Sequence, residues 1–170
     1  MTRGDDSSEA WYVAEGQRGE ELLNQGHVAE ATDVFATILA ALGDAPSYGR
    51  AVLLGRLGRC FQIGDRPDRA VERIREAIDV LGRLAQTDGV KRLRGALRSD
   101  LGDALRACGQ YADARKAYEA ALKIAEDLKD LRGQGVESGC PKGSAPWDNP
   151  VLEVRLQRRS RFMRSVPRRR

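Results

Sequence analysis

Residues 54–81 read LGRLGRCFQIGDRPDRAVERIREAIDVL, two periodic runs that meet at a glycine. In the second run Ala70, Ile74, Ala77, Ile78 and Leu81 stand at offsets of four, seven, eight and eleven, so all five share one face of an α-helix. In the first run Leu54, Leu57, Gly58 and Phe61 share a face in the same way. Ile63-Gly64-Asp65 separates the two and supplies a glycine where an αα-hairpin turns. Pro67 then suits a first helical turn, whose N–H groups have no intrahelical acceptor.

The same arrangement recurs on both sides. Ala31, Phe35, Ile38, Leu39 and Leu42 repeat the stripe upstream, and Ala114, Tyr118, Ala121, Leu122 and Ala125 repeat it downstream, at identical offsets. Leu101-Gly102 and Leu105 precede the third stripe as Leu57-Gly58 and Phe61 precede the second. Glycine inside a helix costs about 1 kcal/mol relative to alanine, so its return at one phase implies a helix contact too tight for a β-carbon. Asn24-Gln25-Gly26 and Cys108-Gly109-Gln110 occupy the other two turns. The expected fold is all-α: three helical hairpins at about residues 8–43, 47–86 and 88–130, with residues 1–7 outside them as a disordered N-terminus.

These residues resemble the tetratricopeptide repeat family, whose pattern joins Leu-Gly and an aromatic in a first helix to Ala-x-x-x-Phe in a second. Leu57-Gly58, Phe61, Ala70 and Ile74 carry it in the middle unit, and Leu101-Gly102, Ala114 and Tyr118 in the third. The first unit departs at Arg18-Gly19, where leucine is expected, but keeps Ala31 and Phe35. The stripes start 39 and then 44 residues apart, longer than the roughly 34 of the common repeat. That length resembles the long-helix variants of kinesin light chains and bacterial regulatory receptors; HEAT and armadillo units rank second because they lack these pairs. The resemblance implies a right-handed superhelical stack.

Composition agrees with a single soluble domain: 170 residues, 41% hydrophobic and 32% charged, with aromatics at only 5%, a balance that favours helices over strands. No apolar run reaches the roughly 20 residues of a membrane span and the N-terminus has no signal-peptide core, so the expected compartment is the cytoplasm. Cys60, Cys108 and Cys140 are widely spaced and a single histidine, His27, accompanies them, which argues against a disulfide framework or a zinc site. No metal and no cofactor is expected.

The net charge of +4 is unevenly spread. Residues 134–170 hold nine Lys/Arg and three Asp/Glu, whereas residues 1–133 are close to neutral. Leu131-Arg132-Gly133 echoes Leu93-Arg94-Gly95 and suggests a fourth unit entered over residues 131–137, which Gly139, Pro141, Gly143, Pro146 and Pro150 then interrupt. Residues 138–170 are expected to form a basic, disordered tail, although Asn149-Pro150 could cap a short helix through Leu152 and Leu156. Three accounts of this end stand open: a truncated or frame-shifted piece of a longer array, a tail that folds back as a cap, or a face that pairs with another molecule through Leu122 and Ala125, giving self-association.

No catalytic set is arranged here. Glu72 with Glu76 and Asp100 with Asp103 have helical spacing but read as solvated surface, and Gly133-Gln134-Gly135 is too short for a phosphate loop. In tetratricopeptide arrays the first helix of each hairpin lines the concave side. Carried over, that geometry puts Gln17, Glu20, Asn24, Arg56, Arg59, Gln62, Ser99, Asp100, Asp103 and Arg106 in a peptide-binding groove. Arg56 and Arg59 would share a helical face and grip a carboxylate, unless Arg59 is taken by Glu20 or Asp103 of neighbouring hairpins. The Lys/Asn clamp of chaperone-binding relatives is not recognisable. The expected function is therefore a non-catalytic scaffold that binds a peptide or partner segment. The alternative is nucleic-acid or anionic-membrane association through the Arg-rich tail.

Overall fold

The computed structural model describes residues 5–133, with side chains over residues 11–128. Six helices run α1 (Asp5–Asn24), α2 (Val28–Leu42), α3 (Tyr48–Ile63), α4 (Pro67–Gly82), α5 (Asp88–Ala107) and α6 (Tyr111–Gly133), and no strand occurs among the described residues. They pair as α1/α2, α3/α4 and α5/α6, and each hairpin packs on the next in chain order. α1 starts at Asp5, ahead of residue 8, where acidic residues favour the positive end of a helix. Leu131-Arg132-Gly133, anticipated as the entry to a fourth unit over residues 131–137, is helical as part of α6, and the rest of that stretch lies outside the described residues. Residues 134–170, including Cys140 and the basic tail, lie outside the described residues.

Capping explains where α3 and α5 begin. Ser47 Oγ accepts from the Arg50 amide at 3.1 Å and Thr87 Oγ1 from the Val90 amide at 3.3 Å, each satisfying a donor that a helix start leaves open. The turns inside the hairpins hold a left-handed residue, Gly26 (φ 86°) in the first and Gly109 (φ 75°) in the third. In the middle hairpin the expectation for Gly64 is corrected: Gly64 stays at φ −78° and Asp65 takes the left-handed conformation, φ 56°. Gly26, Asp65 and Gly109 are equivalent in register, so position, not residue type, decides which one turns.

Three interior glycines set the hairpin packing. A β-carbon at Gly19 would lie 2.5 Å from Phe35 Cε1, and one at Gly58 2.5 Å from Ile74 Cγ1. One at Gly102 would overlap the Tyr118 ring. Each glycine lets the large side chain sixteen residues later cross its helix, and this holds in the first hairpin although Arg18 replaces leucine.

The interior divides into two clusters. Leu23, Ala31, Phe35 and Ile38 join Leu53, Leu57 and Cys60 of α3 in one; Ala51 and Leu54, also of α3, join Ile74, Leu81, Leu97, Leu105 and Tyr118 in the other. Helix α3 therefore belongs to both, and the half-buried Leu39 and Phe61 touch both clusters.

Candidate functional site

Helices α1, α3 and α5 present the positions singled out in the sequence, and they fall into three groups. Gln17, Asn24, Arg59 and Arg106 are exposed. Glu20, Arg56 and Gln62 tie helices together: Arg56 Nε lies 2.8 Å from Glu20 Oε1, and Gln62 Nε2 donates to the Asp100 carbonyl at 2.9 Å, joining α3 to α5. In the third group Tyr118 donates its hydroxyl to Asp103 Oδ1 at 2.6 Å, with Arg106 and Asp100 beside it, and Ser99 is buried.

Arg56 and Arg59 thus play different parts. The Arg56 side chain is only 18% exposed, and its guanidinium carbon stands 5.5 Å from the centroid of the Phe35 ring. Burial lowers its pKa, and the carboxylate of Glu20 works in the opposite direction. Arg59, one turn further on, remains at the surface. The pair that forms is Arg56 with Glu20, where the sequence left open a contact from Arg59.

Two apolar residues on this side escaped the sequence reading. Ile63 is 52% exposed at the end of α3, at the register position of Asn24 in α1. Val13 is 56% exposed and lies at helical spacing from Gln17, Glu20 and Asn24. The signal available was the register itself: Ile63 occupies a position that is polar in the first hairpin.

A second concavity, of about 380 Å³, opens between α2 and α4 over α3, with Leu39, Leu57 and Phe61 among its lining and Arg50 and Arg73 at its rim. Both arginines pair with Glu76, at 3.1 and 2.9 Å, and Arg50 also reaches Asp44 at 3.4 Å. Leu122, on α6, is 38% exposed, and Ala125 is half-buried. Burial pushes the Cys60 thiol upward in pKa; Cys108 is likewise raised, first by desolvation and then by the Asp68 carboxylate, to which its thiol donates at 3.3 Å. No cluster of His, Cys, Asp and Glu able to hold a metal occurs among the described residues, and none of their helices is long and apolar enough to cross a membrane.

The tetratricopeptide repeat family model matches residues 96–128. The fold is similar to that of a Podosopora anserina protein, under working assignment as a kinesin light chain, with nearly identical TPR-like repeats: TM-score 0.58, 18% identity, 75% of this chain and 58% of that one. A single-substitution variant of the same protein gives TM-score 0.57 at 17% identity, over 75% of this chain and 57% of that one. The chain therefore spans less than three-fifths of the length of these structures, and at such identity the likeness concerns the fold. Comparison with curated proteins finds no match. With its third hairpin matched by the repeat model and the first two stacked against it in the same register, the chain has the fold of TPR-like helical repeats, a right-handed superhelical stack of hairpins.

Proposed function

We propose that the chain is a non-catalytic protein-binding scaffold that holds an extended partner segment along α1, α3 and α5. The observation that carries this reading is the exposure of Arg59 and Ile63, four residues apart on one face of α3, beside the exposed Gln17 and Asn24 on α1 and Arg106 on α5. An arginine next to an uncovered isoleucine suits a partner carboxylate followed by an aliphatic side chain, since Arg binds carboxylates in a bidentate fork. Arg56, Glu20 and Gln62 would keep the helices of this face in register. The end face at Leu122 and Ala125 would serve as a second contact surface.

The test is to probe the full-length chain with an immobilised peptide library. Enrichment of Asp or Glu beside Leu, Ile or Val, abolished by Arg59→Glu with helix content unchanged, is the expected result. No enrichment, or enrichment indifferent to Arg59→Glu and Ile63→Ser, would overturn it.

A second reading rests on the excess of six positive charges in residues 134–170. If about six arginines met phosphates of duplex DNA, log affinity would fall against log salt with a slope near −5. Salt-insensitive binding would dismiss this reading.

A further inference from the structure

The concavity between α2 and α4 is a groove with two unlike banks. Leu39, Leu57 and Phe61 lie in it, and α2 lines one side with Thr32, Ala36 and Ala40. Ala36 and Ala40 are exposed and one turn apart, so the backbone of another helix can come close to α2 there. By the register of the stripes that start at Ala31 and Ala70, these alanines become Arg75 and Asp79 in α4. The junction of α4 with the third hairpin therefore has charged side chains where the first junction has methyl groups. From Thr32 to Gly43 the groove follows α2 for about 16 Å, roughly three helical turns.

The opposite bank is basic. Arg73 lines the groove, and Arg66 and Arg69 precede it by seven and four residues, which places all three along one side of α4 and its cap. All three are exposed. Arg73 shares Glu76 with Arg50, at 2.9 and 3.1 Å, whereas the side chains of Arg66 and Arg69 pair with nothing among the described residues. Asp44, the other carboxylate at the rim, is fully exposed and lies 3.4 Å from Arg50, at the far end. Asp33 on α2 and Glu72 on α4 do not line the groove. The same three positions read His27, Glu30 and Val34 in the first hairpin and Gln110, Asp113 and Ala117 in the third, so this basic bank is particular to α4.

We propose that the groove binds a helical segment of a partner protein, apolar along one face and acidic along the flank beside it. Its aliphatic side chains pack on Leu39, Leu57 and Phe61, its carboxylates meet Arg66, Arg69 and Arg73, and its backbone lies against Ala36 and Ala40. A helix suits this groove better than an extended strand, because α2 and α4 use their backbone groups internally and offer no edge to pair with, whereas a helix satisfies its own. The surface formed by α1, α3 and α5 is a separate one, so this site stands whether or not that surface holds a peptide.

The test uses the full-length chain and a fluorescein-labelled synthetic peptide of about fifteen residues, with leucines on one helical face, glutamates on the adjoining flank and alanines elsewhere. Fluorescence anisotropy should show saturable binding that weakens with added salt and is about tenfold weaker when glutamine replaces the glutamates. Ala36→Gln with Ala40→Gln fills the groove without changing its charge and should lower affinity about tenfold, as should Arg69→Gln with Arg73→Gln. Arg59→Glu should leave binding unchanged, and circular dichroism should show the same helix content throughout. Equal affinity for the glutamate and glutamine peptides, or binding indifferent to Ala36→Gln with Ala40→Gln, would sink the proposal. So would the absence of binding at about 1 mM peptide, a concentration that detects even the weakest specific complexes. Loss of binding on Arg59→Glu would do the same, because the peptide would then occupy the surface of α1, α3 and α5.

Discussion

The Tyr118 hydroxyl reaches Asp103, on the preceding helix, at 2.6 Å because Gly102 lets the ring pass. Neither Phe35 nor Ile74, at the equivalent places, has a hydroxyl to donate. Tyr118→Phe should therefore destabilise the chain by about 1 kcal/mol, most visibly in α5 and α6, in urea unfolding followed by circular dichroism.

The same residue predicts an alkaline limit. Burial raises the Tyr118 pKa above its ordinary 10.0, Arg106 offsetting only part of this, so the folded state favours the neutral phenol. Its contribution is fully present below the unfolded value and is lost as pH rises through the raised folded one. Unfolding midpoints should fall above about pH 10, less steeply in Tyr118→Phe; Tyr48, also raised by burial, calls for Tyr48→Phe as the parallel comparison.

Gly58→Ala replaces a poor helix former with the best one, yet the added carbon would meet Ile74 Cγ1 at 2.5 Å. Overpacking should win, with a net loss of about 1–3 kcal/mol. Gly58→Ala combined with Ile74→Val should cost less than the sum of the two, a coupling that a double-mutant cycle would measure.

Arg56→Ala is expected to lower stability by about 1–3 kcal/mol, because it removes the pair with Glu20 and the stem and guanidinium packed on Phe35. Arg59→Ala, at an exposed site, should stay within about 0.5 kcal/mol. Thermal melts of the two variants decide this directly. Equal losses would mean that the contacts of Arg56 contribute nothing beyond surface charge.

Asp65 holds a left-handed conformation at φ 56° where the other two hairpins use glycine. Asp65→Gly should raise stability by about 0.5–1 kcal/mol, the relief of strain being offset in part by a freer unfolded chain. Asp65→Ala should lower it, and differential scanning calorimetry would show both signs.

The hairpins were legible because their stripes repeat offsets that only a helix brings to one face, three times over. The turn at residues 63–65 was less so: glycine suggests a left-handed residue, but the length of α3 puts that conformation one residue later, at Asp65. Within the candidate groove, residue type said that Arg56 and Arg59 are alike and polar. What separates them is the Phe35 ring that passes Gly19 and lies under Arg56 alone, a contact between hairpins that no local pattern encodes. Ile63 escaped for the converse reason, since one apolar residue at a helix end resembles core until its neighbours are known.

Because α3 serves two interiors at once, with Leu53 and Leu57 on one side and Ala51 and Leu54 on the other, melting need not be all-or-none. Loss of α1 and α2 would uncover one side of α3 and leave the other dressed by α4 and α5, so a half-melted species retains a coherent interior. Cooperativity between the halves then depends on the few side chains that touch both, chiefly Leu39 and Phe61. A chain built this way comes apart in stages, and a pulling force applied at its ends would meet two separate yields instead of one.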